Sequence, residues 1–121
     1  MKHCLVVDDS DVIRKVTRRI LETMRVDIAD AESGPKGLDA CQIRMPDAIL
    51  LDWMMPGMGG LEFISAVRHM PCGKMPVIVY CVTENDPLHI SKALQTGANH
   101  FLMKPVTRLD IHDKLAEAGV V

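Results

Sequence analysis

The chain has 121 residues, 48% apolar and 25% charged, with a formal net charge of −2. That length supports one domain with a buried core and is too short for two ordinary ones, and the apolar content excludes a disordered chain. The small negative charge gives no general attraction to nucleic acid or anionic membrane, no apolar run approaches a membrane span, and Met1-Lys2-His3 leads into a strand rather than a signal peptide, which predicts a cytoplasmic protein.

Strands and helices alternate along the whole length, with no repeat, low-complexity tract or linker. Cys4-Leu5-Val6-Val7 reads as a first strand running into Asp8 and Asp9. Ser10 or Asp9 can cap the next helix, whose Ile13, Val16, Ile20 and Met24 are expected on the buried face. Its other side carries Arg14, Lys15, Arg18 and Arg19, a set suited to an acidic partner but more often a solvated helix face. Val26 to Ala29 reads as a second strand, and Pro35 suits the first turn of a helix ending before Met45-Pro46.

Ala48-Ile49-Leu50-Leu51 is a short apolar run ended by Asp52, the pattern of a strand buried on both faces of a parallel sheet. Gly57, Gly59 and Gly60 make the following loop, and a helix is expected from about Leu61 to Met70, stopped by Pro71. Pro76 opens a fourth strand, Val77 to Val82, rich in β-branched residues and leading to Thr83-Glu84-Asn85-Asp86. Asp86 and Pro87 start a helix with Ile90, Ala93 and Leu94 as its expected buried stripe and Gly97 as its stop. Phe101-Leu102-Met103 is the fifth strand, ending at Lys104-Pro105. Thr107 and Asp110 form a capping box for a last helix that buries Ile111, Leu115 and Ala118.

This alternation predicts an α/β fold: a doubly wound, five-stranded parallel sheet of order 2-1-3-4-5, flavodoxin-like, with helices on both faces. In that order the first and third strands are neighbours at the switch point, where such sheets place ligands. Asp8, Asp9, Asp52, Thr83 and Lys104 then meet at the carboxyl ends of four strands. Two carboxylates near 4 Å repel by about 4 kcal/mol at an effective dielectric of 20, so a proton or a cation must relieve them. Oxygen ligands without imidazole or thiolate favour Mg²⁺. With Lys104 for an anionic oxygen and Thr83 for a hydroxyl, the set contains the parts needed to receive a phosphoryl group on Asp52.

The cysteines, Cys4, Cys41, Cys72 and Cys81, have no zinc-ligand spacing and are expected to be reduced packing residues, with Cys72 alone in a loop. His3, His69, His89, His100 and His112 are scattered with no ligand spacing, and packing or surface roles are expected of them. Met54, Met55 and Met58 offer either gap filling or an adaptable docking surface beside the acids.

Val6-Val7-Asp8-Asp9-Ser10, Leu51-Asp52-Trp53-Met54-Met55-Pro56-Gly57-Met58-Gly59-Gly60, Thr83-Glu84-Asn85-Asp86 and Met103-Lys104-Pro105 resemble the receiver domain of bacterial two-component response regulators, close to the single-domain chemotaxis type. The likeness spans essentially all of residues 1–121, which are read as one receiver without an output domain. The resemblance implies that Asp52 is the phosphoacceptor, served by a sensor histidine kinase or a histidine phosphotransfer protein. It implies that Asp9, supported by Asp8, holds Mg²⁺ with Asp52 and the Met54 backbone carbonyl, that Lys104 binds a phosphoryl oxygen, and that the Lys104-Pro105 bond is cis. It also implies a downstream protein target on the face of the fourth helix, fifth strand and fifth helix, and a switch without conventional enzymatic turnover.

Three positions depart from the family pattern. The switch Ser or Thr position, counted from Asp52 or Lys104, falls on Val82, with Thr83 one residue late; a local shift or bulge that lets Thr83 serve is the expectation. The aromatic switch partner is Phe101, which lacks a hydroxyl. Met54 offers no polar group to orient water, which predicts slow to intermediate loss of the phosphoryl group. A degenerate receiver that binds partners without phosphorylation is the alternative. A metal-dependent phosphohydrolase is disfavoured because the second acid such enzymes carry two residues after the nucleophile is here Met54.

Overall fold

The computed structural model describes all 121 residues. β1 (His3–Val7), β3 (Ala48–Asp52) and β4 (Val77–Val82) are buried almost throughout, which is why their sequences are continuous apolar runs. β2 (Asp27–Ala31) and β5 (His100–Met103) complete a fully parallel sheet of order β2-β1-β3-β4-β5. The helices between them are α1 (Asp11–Glu22), α2 (Gly34–Ile43), α3 (Gly60–Arg68), α4 (Pro87–Thr96) and α5 (Arg108–Glu117).

Side chains alternate across the sheet and divide the core in two. Leu5, Val7, Ile49, Leu51, Ile78, Tyr80 and Val82 share one cluster with Cys41, Phe63, Ile64, Val67 and Ile90, from α2, α3 and α4. Cys4, Val6, Ala48, Leu50, Val79 and Leu102 share the other with Leu21, Ile111 and Leu115, from α1 and α5. The helix starts are set locally: Ser10, Ser33, Asp86 and Thr107 each accept a hydrogen bond from an amide of the first turn, and the Asp110 carboxylate accepts one from the Thr107 amide. Gly97 ends α4 at φ +138°, a conformation that favours glycine.

Several boundaries differ from the sequence expectation. β2 begins at Asp27, because this edge strand takes its limits from pairing with β1, His3 to Asp27 through Val7 to Ala31, and not from the apolar run at Val26. On α1, Val16 is 50% exposed while Thr17 and Leu21 are buried, so the buried face is centred on Thr17 and Leu21, with Ile13 partly buried and Ile20 and Met24 packed against the core as expected. On α4, Ile90 and Ala93 are buried and Leu94 is exposed. The cationic face of α1 is partly engaged. Arg14 bonds the Asp8 carbonyl and pairs with Asp11, and Arg18 reaches Asp30 at 3.3 Å. Of the cysteines, Cys4, Cys41 and Cys81 are buried and Cys72 is exposed, as expected.

Candidate functional site

The same alternation delivers the charged groups. Asp8 lies two residues beyond Val6, Asp52 two beyond Leu50, and Lys104 two beyond Leu102, so each continues the series that faces α1 and α5. The register pairs Asp52 with Cys81 on β4. Asp8, Asp52, Cys81 and Lys104 line one small cavity of about 20 Å³, floored by apolar groups that include Ile13 and Val106.

Asp8 and Asp52 are 4% and 6% exposed, whereas Asp9 faces solvent. Carboxylate oxygens of the three lie within 4.8 Å of one another. Lys104 Nζ donates to Asp8 Oδ2 at 2.7 Å and to Asp52 Oδ1 at 2.8 Å, so one ammonium is shared by two buried acids and offsets one of their two charges. Asp8 is held in place by the Ser10 amide, which donates to its Oδ1 at 2.9 Å. Burial raises the Asp52 carboxyl above the usual carboxylate range; the Lys104 hydrogen bond opposes the rise and the Asp8 charge adds to it. At Lys104 burial works against the charge, but the hydrogen bonds and charges of Asp52 and Asp8 outweigh it and raise the ammonium. Buried Cys81, pushed up to about 12 by burial, stays a thiol.

An oxygen-only cluster with one solvent-facing member fits a hard divalent cation that keeps part of its water shell. Asp8, Asp9, Asp52 and Lys104 are thus brought together. The Lys104-Pro105 bond is cis. Met54 is exposed beside the pocket, whereas Met55 is buried.

The structure corrects the expected bulge. β4 keeps unbroken register with β3 through Cys81 and with β5 through Val82, which pairs with Met103, is fully buried, and accepts a hydrogen bond from the Lys104 amide at 2.7 Å. Thr83 is the next residue, exposed on the loop before α4. Phe101 lies on β5 opposite Tyr80, 40% exposed. Sequence reasoning missed the Tyr80 hydroxyl, which touches the Trp53 carbonyl at 3.4 Å and His89 Nε2 at 2.8 Å; no spacing signal links β4 to α4 in this way.

Acids gathered at the switch point of a 2-1-3-4-5 sheet mark a flavodoxin-like fold of the CheY type. Among solved structures, the chemotaxis protein CheY4 of Vibrio cholerae superposes with a TM-score of 0.93 at 30% identity, covering 98% of each chain. A CheY-like receiver domain protein from Methanospirillum hungatei gives 0.89 at 26% identity, over 97% of this chain and 92% of that one. The family model of the response regulator receiver domain matches residues 4–116, and the chain belongs to that family, which serves two-component signal transduction. Curated relatives include two-component response regulator ORR6 of Oryza sativa subsp. japonica, 37% identical over 90% of this chain and 66% of that protein, and ORR3 of the same subspecies, 34% identical over 90% and 84%.

Proposed function

We propose that this receiver accepts a phosphoryl group on Asp52 from a phosphohistidine of a sensor kinase or phosphotransfer protein and uses it to switch protein binding. The observation that carries the reading is the Lys104 ammonium held between buried Asp8 and Asp52 with Asp9 open to solvent beside them. Lys104 bonds Oδ1 of Asp52, which leaves Oδ2 as the attacking atom. As its O–P bond forms, the N–P bond of the donor breaks and its electron pair stays on the imidazole nitrogen, which takes a proton from solvent. Lys104 is within reach of a phosphoryl oxygen on Asp52, and Thr83, exposed on the loop after β4, could supply a second donor only if that loop closes on the loaded pocket. A Mg²⁺ held by Asp9, Asp8, Asp52 and the Met54 carbonyl would neutralise the acids and the phosphoryl oxygens.

Titration with Mg²⁺ tests the metal-binding half of this reading. At ten times its Kd the ion is expected to stabilise the fold by about 1.4 kcal/mol, read as a rise in Tm and as a change in Trp53 fluorescence. Asp9→Asn should remove most of both signals, and an unchanged response in that variant would count against the site.

Met54 has no polar atom on its side chain, and we assign slow to intermediate phosphoryl loss to this. Met54→Asn, at an exposed position, is expected to speed hydrolysis roughly tenfold, less than a fully placed base supplies. Time courses of phosphate release check it. The output surface is the face of α4, β5 and α5, where Leu88, Phe101, Met103 and Leu109 are exposed. Val82 at the switch position supports a second reading, a receiver that binds partners independently of phosphorylation; equal partner binding by the unmodified and phosphorylated chain would favour it.

A further inference from the structure

Tyr80 is fully buried in mid-strand, yet its hydroxyl has two polar neighbours, the Trp53 carbonyl at 3.4 Å and His89 Nε2 at 2.8 Å. Trp53 separates Asp52 from Met54, and His89 lies in the first turn of α4, whose Asp86 cap accepts the His89 amide. The His89 ring stacks on Tyr80 with centroids 5.7 Å apart and meets the Trp53 ring edge-on at 5.2 Å. A Cβ on Gly60 would run into the Tyr80 ring, so the start of α3 confines the phenol from a further side.

The phenol carries one proton and has two candidate acceptors. Burial, then the Asp52 charge, push its pKa up to about 12, so that proton stays. When Nε2 is the lone-pair nitrogen, Tyr80 donates to His89 and gives nothing to Trp53. When Nε2 carries hydrogen, His89 donates to the phenol, and the phenol proton is free for the Trp53 carbonyl. That carbonyl is otherwise bonded only by the Gly60 amide, also at 3.4 Å, so both its bonds lie beyond the usual length and either is easily exchanged.

We propose that Tyr80 is a positioning residue that couples the acidic pocket to α4: when Asp52 is loaded, the Trp53 carbonyl shifts against the phenol, and the Tyr80 proton moves between Trp53 and His89. The coupling rests on Asp52 being the phosphoacceptor. It supplies a polar route through the fold where Val82 leaves the family's switch position without a hydroxyl.

Imidazole ¹⁵N NMR of the full chain, before and after addition of Mg²⁺ with beryllofluoride as phosphoryl mimic, tests it. Bound beryllofluoride is followed separately by ¹⁹F NMR, and His89→Gln assigns the ring signals. The expected result is that His89 Nε2 moves between the acceptor and donor ranges on loading, and that Tyr80→Phe abolishes this response while the ¹⁹F signal still forms. His89→Gln, at a half-buried position, should also weaken the loading response of the α4 backbone amides, which keeps the test open should Tyr80→Phe fold poorly. A bound ¹⁹F signal with His89 unmoved overturns the coupling, as does an undiminished response of His89 in Tyr80→Phe or of the α4 amides in His89→Gln. No bound ¹⁹F signal in the unmodified chain overturns the phosphoacceptor reading, and the coupling with it.

Discussion

Lys104→Met is expected to cost the fold about 3 kcal/mol and to leave Asp52 unable to retain a phosphoryl group efficiently. The ammonium makes charge-assisted hydrogen bonds at 2.7 and 2.8 Å to two acids that have almost no contact with solvent. Methionine fills a similar volume, so the loss is electrostatic: two buried carboxylates remain without their cation. The deficit depends on pH. Without Lys104 the folded-state pKa of the Asp52 carboxyl, already raised by burial, rises further above the unfolded value, so the folded chain binds more protons and its stability falls as pH rises through that window. Urea denaturation should therefore show the variant far weaker than the parent at about pH 8 and much closer to it at about pH 5. Adding Asp8→Asn should restore most of the loss at the higher pH, because one unpaired charge is removed. A deficit that is independent of pH and is not rescued by Asp8→Asn would mean that Lys104 acts through packing.

The second large effect separates stability from function. Asp52→Asn is expected to stabilise the fold by about 1 kcal/mol at neutral pH while removing phosphoryl acceptance altogether. Burial and the Asp8 charge raise the Asp52 carboxyl in the folded chain. A raised carboxyl pKa means that ionisation penalises the folded state: stability is lost as pH climbs past the unfolded value and through the folded one. The amide has nearly the same shape and no charge to bury, and Lys104 keeps Asp8. The advantage should vanish in acid, below the unfolded pKa, where both chains are neutral at this position. Equal or lower stability of the variant at neutral pH would show that the Lys104 bond outweighs the cost of burying Asp52. This trade is expected wherever a reactive carboxylate is kept in a desolvated pocket.

The sheet order and the assembly of Asp8, Asp9, Asp52 and Lys104 were legible because both follow from one property. In a parallel sheet buried on both faces, each strand shows as an apolar run, and the first charged residue after it marks the carboxyl edge. Val7 to Asp8, Leu51 to Asp52 and Met103 to Lys104 are such transitions. Where the apolar signal has competing solutions, the sequence was ambiguous. On α1, Ile13, Val16 and Ile20 share one helical stripe, but packing rotates the buried face so that Val16 is exposed and Thr17, which lines the cavity below Asp52, and Leu21 are buried, with Ile20 kept at the edge of the core. On the edge strand β2, partner hydrogen bonds and not hydrophobicity fix the limits.

Val82 and Thr83 illustrate a different gap. Counting from Asp52 and Lys104 identified Val82 as the residue at the switch position; only the register shows that no bulge moves Thr83 into it. The Tyr80–His89 contact had no sequence signal at all, since it joins a strand interior to the next helix through side-chain geometry. Arg68 is similar. Its guanidinium bonds the carbonyls of Gly97, Gly73 and Pro76 and the Asn99 side chain, tying the end of α3 to the end of α4 and the entry to β4, yet in the sequence it is one more helix cation.

Intact mass spectrometry after exposure to acetyl phosphate, with and without Mg²⁺, on the parent chain and on Asp52→Ala, tests the phosphoacceptor claim most directly. The expected mass shows one phosphoryl group per chain, dependent on the metal and absent from the variant. An adduct that survives the substitution, or no adduct together with no release of phosphate, would contradict it.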